Sequence, residues 1–184
     1  MRRLLATLLF ASLFAPPASA GGWSVDYAKS RLGFKVQWSN EPFSATFKSW
    51  KADIDFDPTN LAHARASVTI DMASEASDED EFDNGLRGVF GFEVSQFPTA
   101  QFLATHFTHR TGNDYVATGT LTIRGVTKPV TLPFTLITAG KSAHATGTAQ
   151  IMRLDFNVGQ GEWAGDKPVS HEVTVTIDLT ATRS

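Results

Sequence analysis

Apolar and polar residues change places at every step between residues 62 and 72, where Ala62, Ala64, Ala66, Val68, Ile70 and Met72 alternate with His63, Arg65, Ser67, Thr69 and Asp71. A period of two marks a strand with one buried and one wet face, because successive side chains of an extended chain point to opposite sides. The same period returns in Leu32-Phe34-Val36-Trp38, Ala52-Ile54-Phe56, Tyr115-Ala117-Gly119-Leu121-Ile123 and Val130-Leu132-Phe134-Leu136. Ala143-Ala145-Gly147-Ala149-Ile151 and Val173-Val175-Ile177-Leu179 complete the long runs, with shorter ones at residues 25–27, 43–47 and 102–107. One polar and one apolar face per strand points to antiparallel pairing. This much strand predicts an all-β chain closed into an antiparallel barrel.

Only residues 74–97 interrupt the pattern, with Glu75, Asp78, Glu79, Asp80 and Glu81 ahead of Leu86, Val89 and Phe90. Acidic residues oppose the positive end of a helix dipole, so a short helical segment is predicted across one mouth. Turn signals stand at residues 57–60, 111–114, 125–129 and 139–141. No linker or repeat divides the chain, which predicts one domain from residue 21 to 184.

The first 20 residues read differently. Arg2 and Arg3 precede an apolar run over residues 4–14, then Pro16-Pro17 and the small-residue triplet Ala18-Ser19-Ala20. The run falls short of the ~20 residues that a span needs, and the pattern is that of a secretory leader cleaved after Ala20. Export to the periplasm is the expectation. With no cysteine, the chain can hold neither a disulfide nor an acylated cysteine. Without Arg2 and Arg3, 14 basic residues face 19 acidic ones, a net charge of -5 that argues against a nucleic-acid partner and against docking on anionic lipid by charge alone.

Several apolar faces are built from very small residues, Ala143-Ala145-Gly147-Ala149 and Ala62-Ala64-Ala66, while phenylalanines supply broad walls elsewhere. A barrel of about eight strands is either filled by its side chains or holds one small ligand. Both readings stay open on this pattern. An eleven-residue strand spans roughly 36 Å, and tilted by about 40° it makes a barrel roughly 28 Å tall, a height that suits a long chain better than a rounded metabolite.

Catalytic chemistry finds no support. His63, His106, His109, His144 and His171 are scattered, and the one close pair, His106 and His109, falls on opposite faces of a strand. His171 shares the parity of Val169, Val173 and Val175 and is expected as a hydrogen-bonded histidine at a barrel end. Gly159-Gln160-Gly161-Glu162-Trp163-Ala164 imitates a dinucleotide glycine motif but lacks the strand-turn-helix setting. It reads instead as a tight rim loop, with Trp163 either folded over the opening or anchoring a corner. The acidic stretch 78–83 lacks calcium-loop spacing and reads as a solvated helix start. No metal, catalytic set or intrinsic cofactor is expected.

The order of motifs resembles the YceI-like family over nearly all of the chain past the leader. The matching pieces are Ser30-Arg31-Leu32-Gly33-Phe34-Lys35-Val36, Phe47, Ala52-Asp53-Ile54-Asp55-Phe56-Asp57-Pro58, Leu86, Phe92 and Phe97-Pro98-Thr99-Ala100-Gln101-Phe102. The most specific is Tyr115-Val116-Ala117-Thr118-Gly119-Thr120-Leu121-Thr122-Ile123-Arg124-Gly125-Val126-Thr127-Lys128-Pro129-Val130. Arg153-Leu154-Asp155-Phe156 and Val158-Gly159-Gln160-Gly161-Glu162-Trp163 are similar to the branch found beside b-type di-haem membrane cytochromes. Two positions depart from the family: Trp38 stands where many members have histidine, and Gly91-Phe92 where an aromatic pair is usual.

The resemblance implies an extended, lipocalin-like barrel of eight antiparallel strands whose lumen binds a polyisoprenoid, an isoprenoid quinone or another long-chain lipid. The ligand-binding residues expected are Phe34, Val36, Trp38, Phe47, Ile54, Phe56, Val68, Ile70, Leu86, Phe90, Phe92, Phe102, Phe134, Leu136, Phe156 and Trp163. A carrier without enzymatic activity is the first expectation. The alternatives are a quinone-linked redox partner of a membrane cytochrome and an enzyme acting on the bound lipid. Whether two chains associate is left open.

Overall fold

The computed structural model describes residues 22–183, so the leader expected over residues 1–20 lies outside them. The strands are β1 (Gly22–Val25), β2 (Arg31–Trp38), β3 (Glu41–Phe47), β4 (Trp50–Asp55), β5 (Arg65–Asp71), β6 (Glu75–Ala76), β7 (Thr99–His109), β8 (Asp114–Ile123), β9 (Val126–Ala139), β10 (Ser142–Met152) and β11 (Glu172–Arg183), with one helix, α1 (Asp80–Arg87). They form eight staves, because β1 continues into β2, β3 into β4 and β5 into β6 across short breaks. β1 pairs with β4 and β2 with β3, so the first two staves form one interrupted hairpin. The meander then runs through β5, β7, β8, β9, β10 and β11, and β11 closes the ring by pairing with both β1 and β2. The described residues therefore form an all-β, eight-stranded antiparallel barrel with one short α-helix.

Local chemistry accounts for the breaks and turns. Between β1 and β2, the Ser30 hydroxyl donates to the Asp26 carbonyl at 2.7 Å and accepts the Thr180 N–H at 3.0 Å, standing in for a missing rung against β11. Ser39 and Asn40 both have positive φ, as do Arg124 and Gly125, the geometry of two-residue hairpins whose twist matches the strands. The turn expected over residues 125–129 is thus only Arg124-Gly125, and Pro129 lies inside β9.

The strand expected over residues 62–72 is shorter. Residues 61–63 form a 3-10 turn that leaves Ala62 exposed, and β5 begins at Arg65. Ala64 packs in an apolar cluster at one end of the barrel. β7 and β10 are each eleven residues long, so the height reckoned from such a strand applies to them.

The helix falls inside the expected segment, with Asp80, Glu81 and Asp83 in its first turn and Arg87 in its last. These charges complement its dipole. The helix start is not uniformly solvated, however, because Asp83 is buried.

Candidate functional site

The inward faces of the staves enclose two apolar chambers, one of about 170 Å³ and one of about 100 Å³. Leu32, Ile70, Leu121, Ile151 and Val175 line both, so the two chambers adjoin inside the barrel at a waist formed by these five side chains. A single water needs about 10–15 Å³ of such space and two to four polar partners. The lumen has ample room, and its lining is apolar.

Most of the expected binding residues reach this lumen. Ile54, Phe56, Val68, Phe102, Phe134 and Leu136 line the larger chamber, with Ile70 at the waist. Phe34, Val36, Phe47, Leu86, Phe92, Phe156 and Trp163 line the smaller one. Two do not line either chamber. Trp38, at the end of β2, packs edge-on against Phe82 at 4.7 Å and against Trp163 at 6.0 Å, as part of a cap.

Phe90 is 44 % exposed and its ring lies against Gly161, where any side chain would collide with it. It sits in the turns after α1, where no strand parity aims it inward, and its carbonyl accepts the N–H groups of Gly159 and Gln160 at 2.7 and 3.0 Å.

The alanine faces divide in the same way. Ala66, Ala143, Ala145 and Ala149 do border the larger chamber. Gly147 opens no space. A Cβ there would stand 2.5 Å from the Pro133 carbonyl, so this glycine permits close approach of β9 and β10.

Both ends of the lumen are capped. At the larger chamber, Phe56 meets Phe107 at 5.4 Å, Tyr115 at 5.5 Å and Phe134 at 5.9 Å between ring centroids, and Trp23 Nε1 donates to the Phe56 carbonyl at 2.8 Å. At the other end, α1 lays Phe82 and Leu86 over the smaller chamber. Trp163 stacks parallel to Phe82 at 6.3 Å with its ring edge against Gly85 of α1. The rim loop therefore joins the cap, and positive φ at Gly159 and Gly161 shapes it. Phe82 was hidden in the sequence because it sits in the acidic run, and only its helical position turns it toward the lumen.

Three buried titratable groups, Arg153, Glu75 and Asp83, stand at this capped end. Arg153 spends all five N–H donors on backbone carbonyls: Ser170 (2.9 Å), Val158 (3.1 Å), Gly159 (3.2 Å), Gly165 (2.8 Å) and Val169 (2.9 Å). Burial pushes its pKa down, opposed by the Asp166 charge. Glu75 is fully buried, and neither of its carboxyl oxygens accepts a hydrogen bond. Its neighbour Asp83 accepts the Ser77 N–H at 3.0 Å and lies 3.8 Å from the Arg87 guanidinium, which also donates to the Glu75 carbonyl.

Burial first, then the Asp83 charge, pushes the Glu75 pKa up from 4.5 to about 7, so the acid stays protonated in mildly acidic solution. For Asp83, burial acts upward, but the Ser77 hydroxyl and amide, with Glu75 and Arg87, hold it below the usual carboxylate value.

The signs follow from linkage. The stability tied to protonated Glu75 is complete below about 4.5 and is lost as pH rises through about 7, whereas that of Asp83 is lost only in stronger acid. Glu75→Gln is expected to stabilise the protein at pH 8 by up to about 3 kcal/mol and to have little effect at pH 4.5. Denaturant unfolding at the two pH values checks this. Equal changes at both would show that folding does not raise the Glu75 pKa.

No cluster of three or more His, Cys, Asp or Glu able to hold a metal occurs among the described residues. His171 is hydrogen-bonded at the barrel end, with Nδ1 2.8 Å from the Asp166 carboxylate. His109 contacts the Gly112 carbonyl at 2.9 Å, in the β7–β8 turn.

Residues 23–181 match the YceI-like domain family. The chain belongs to that family. Protein YceI of Escherichia coli O17:K52:H18 is 32 % identical over 190 residues, covering 97 % of each chain. Among solved structures, Burkholderia cenocepacia BcnA superposes with a TM-score of 0.83 at 34 % identity, over 86 % of this chain and 100 % of that one. A polyisoprenoid binding domain from Saccharophagus degradans, implicated in plant cell wall breakdown, has the same fold, with a TM-score of 0.69 at 16 % identity over 89 % of this chain and 99 % of that domain.

Proposed function

We propose that this YceI-like barrel is a non-enzymatic carrier that holds a polyisoprenoid or similar long-chain lipid in its lumen. The observation that carries the reading is the lumen itself, two adjoining apolar chambers capped by aromatic side chains. Such a space favours methyl-branched or methylene chains, because each ~100 Å² of apolar surface taken from water contributes about 2.5 kcal/mol before the cost of ordering the chain. The binding residues are the lumen-lining subset of those expected from the sequence, from Phe34 and Val36 through Phe134 and Leu136. The description of the Saccharophagus neighbour as a polyisoprenoid binding domain supports the same ligand class.

The leader pattern over residues 1–20 supports action in the periplasm. No helix among the described residues is long and apolar enough to cross a membrane. Within this ligand class, an isoprenoid quinone would bring a redox function and a membrane cytochrome as partner, in line with the resemblance of the segment 153–163. Solvent extraction and mass spectrometry of the protein purified from exported material test the reading. A stoichiometric long-chain isoprenoid is expected, whereas an empty lumen that also refuses such chains when they are offered would overturn it.

A further inference from the structure

Along the run of long strands from β7 to β11, where each strand pairs with the next, one ladder stops short. β9 and β10 pair from Ala139↔Ser142 to Phe134↔Gly147, and there the ladder stops. β9 goes on pairing with β8 as far as Ile123↔Val126, and β10 with β11 as far as Met152↔Glu172. Residues 126–133 and 148–152 therefore face each other across a seam.

The seam has a cause in the chain. Leu136 donates its N–H to the Asn113 carbonyl on the β8 side. Backbone direction alternates along a strand, so the odd-numbered residues of β9 turn theirs toward β10. Two of them, Pro129 and Pro133, have no N–H to give.

On the outside, the seam opens into a pocket of about 260 Å³ rimmed by Lys128, Gln150, Met152 and Asp155. Its floor is Val130, Ile151 and Phe156. Val130 and Ile151 also line the larger chamber, and Ile151 and Phe156 the smaller one. Three apolar side chains, with no rung of hydrogen bonds, thus stand between solvent and the waist of the lumen. Met152, 44 % exposed, continues the apolar path to the surface. The two ends, by contrast, are closed by interlocked aromatic rings.

We propose that the seam between β9 and β10 is a lateral portal through which an apolar chain enters and leaves the lumen, its polar end resting on the rim of Lys128, Gln150 and Asp155. The proposal rests on the carrier reading above. Opening the seam needs only side-chain rotation and a small separation of two strands that share no rungs there. Opening either end needs several packed rings to move together.

The absence of cysteine makes the test clean. Thr131→Cys with Thr148→Cys flanks the seam just past its last rung. Thr148→Cys with Thr176→Cys spans a rung that is already formed. Each pair is bridged with a reducible bifunctional thiol reagent, and uptake of retinol, a fluorescent isoprenoid alcohol, is followed in time. Bridging the seam is expected to slow uptake at least tenfold, with recovery on reduction, while the control bridge leaves the rate unchanged. An unchanged rate with the seam bridged would overturn the portal, as would equal slowing by both bridges. If the unbridged proteins take up no retinol at all, the carrier reading fails instead.

Discussion

Ala145→Phe is expected to abolish uptake of a long apolar chain, by about 100-fold or more in affinity, while the barrel still folds. Ala145 lies in β10 opposite Leu136 of β9 and Leu179 of β11, and its methyl group borders the larger chamber. In a filled core, extra carbons cost ~1–3 kcal/mol through strain, but here the ring enters space already present. The same ring takes the volume and the wall that a ligand would use, and losing contact over ~100 Å² is worth about 2.5 kcal/mol. Ala66→Phe, from β5, tests the same chamber from another stave. Titration with a fluorescent isoprenoid, alongside a melting curve, separates binding from folding. Variants that fold and hold the same lipid at unchanged stoichiometry would place the ligand outside the lumen.

Arg153→Met is expected to cost the protein at least about 3 kcal/mol, with a fall in Tm of roughly 10 °C. The guanidinium ties five carbonyls drawn from the turn after β10, the glycine loop and the segment leading to β11. Methionine has similar reach but leaves those carbonyls with no donor in a dry interior, which costs more than the bonds themselves were worth. Gly159 is bound to the same arrangement, since a Cβ there would strike the Arg153 Nη1 atom and its φ is +85°. Arg153→Lys should recover only part of the loss, because an ammonium cannot reproduce the planar fork. A Tm change for Arg153→Met no larger than that of a surface substitution would refute the staple role.

Much of the wall was legible from residue order, because side-chain direction in a strand is a local property. Phe34 and Val36 in β2, and Phe134 and Leu136 in β9, follow their period of two into the lumen. The same rule failed where the chain leaves a strand. Ala62 lies in a 3-10 turn, and Phe90 lies in turns that carry no parity. Phe82 was missed for the opposite reason, since a helix turns an apolar residue inward from a run of acids. Arg153 and Glu75 gave no local signal of burial, because their surroundings are assembled from segments distant in sequence.

The amino-acid sequence by itself determined the strand faces and the place of the helix, which rest on neighbours a few residues apart, and the family, which rests on the order of motifs along the chain. Only the tertiary structure decided how β11 meets both β1 and β2, which rings cap the ends and where the ladder fails. The seam makes the division plain. Pro129 and Pro133 are visible in the sequence, but whether a missing N–H matters depends on which neighbour it faces. That is set by the register between β8 and β9, and a register is a property of paired strands, which no single strand carries.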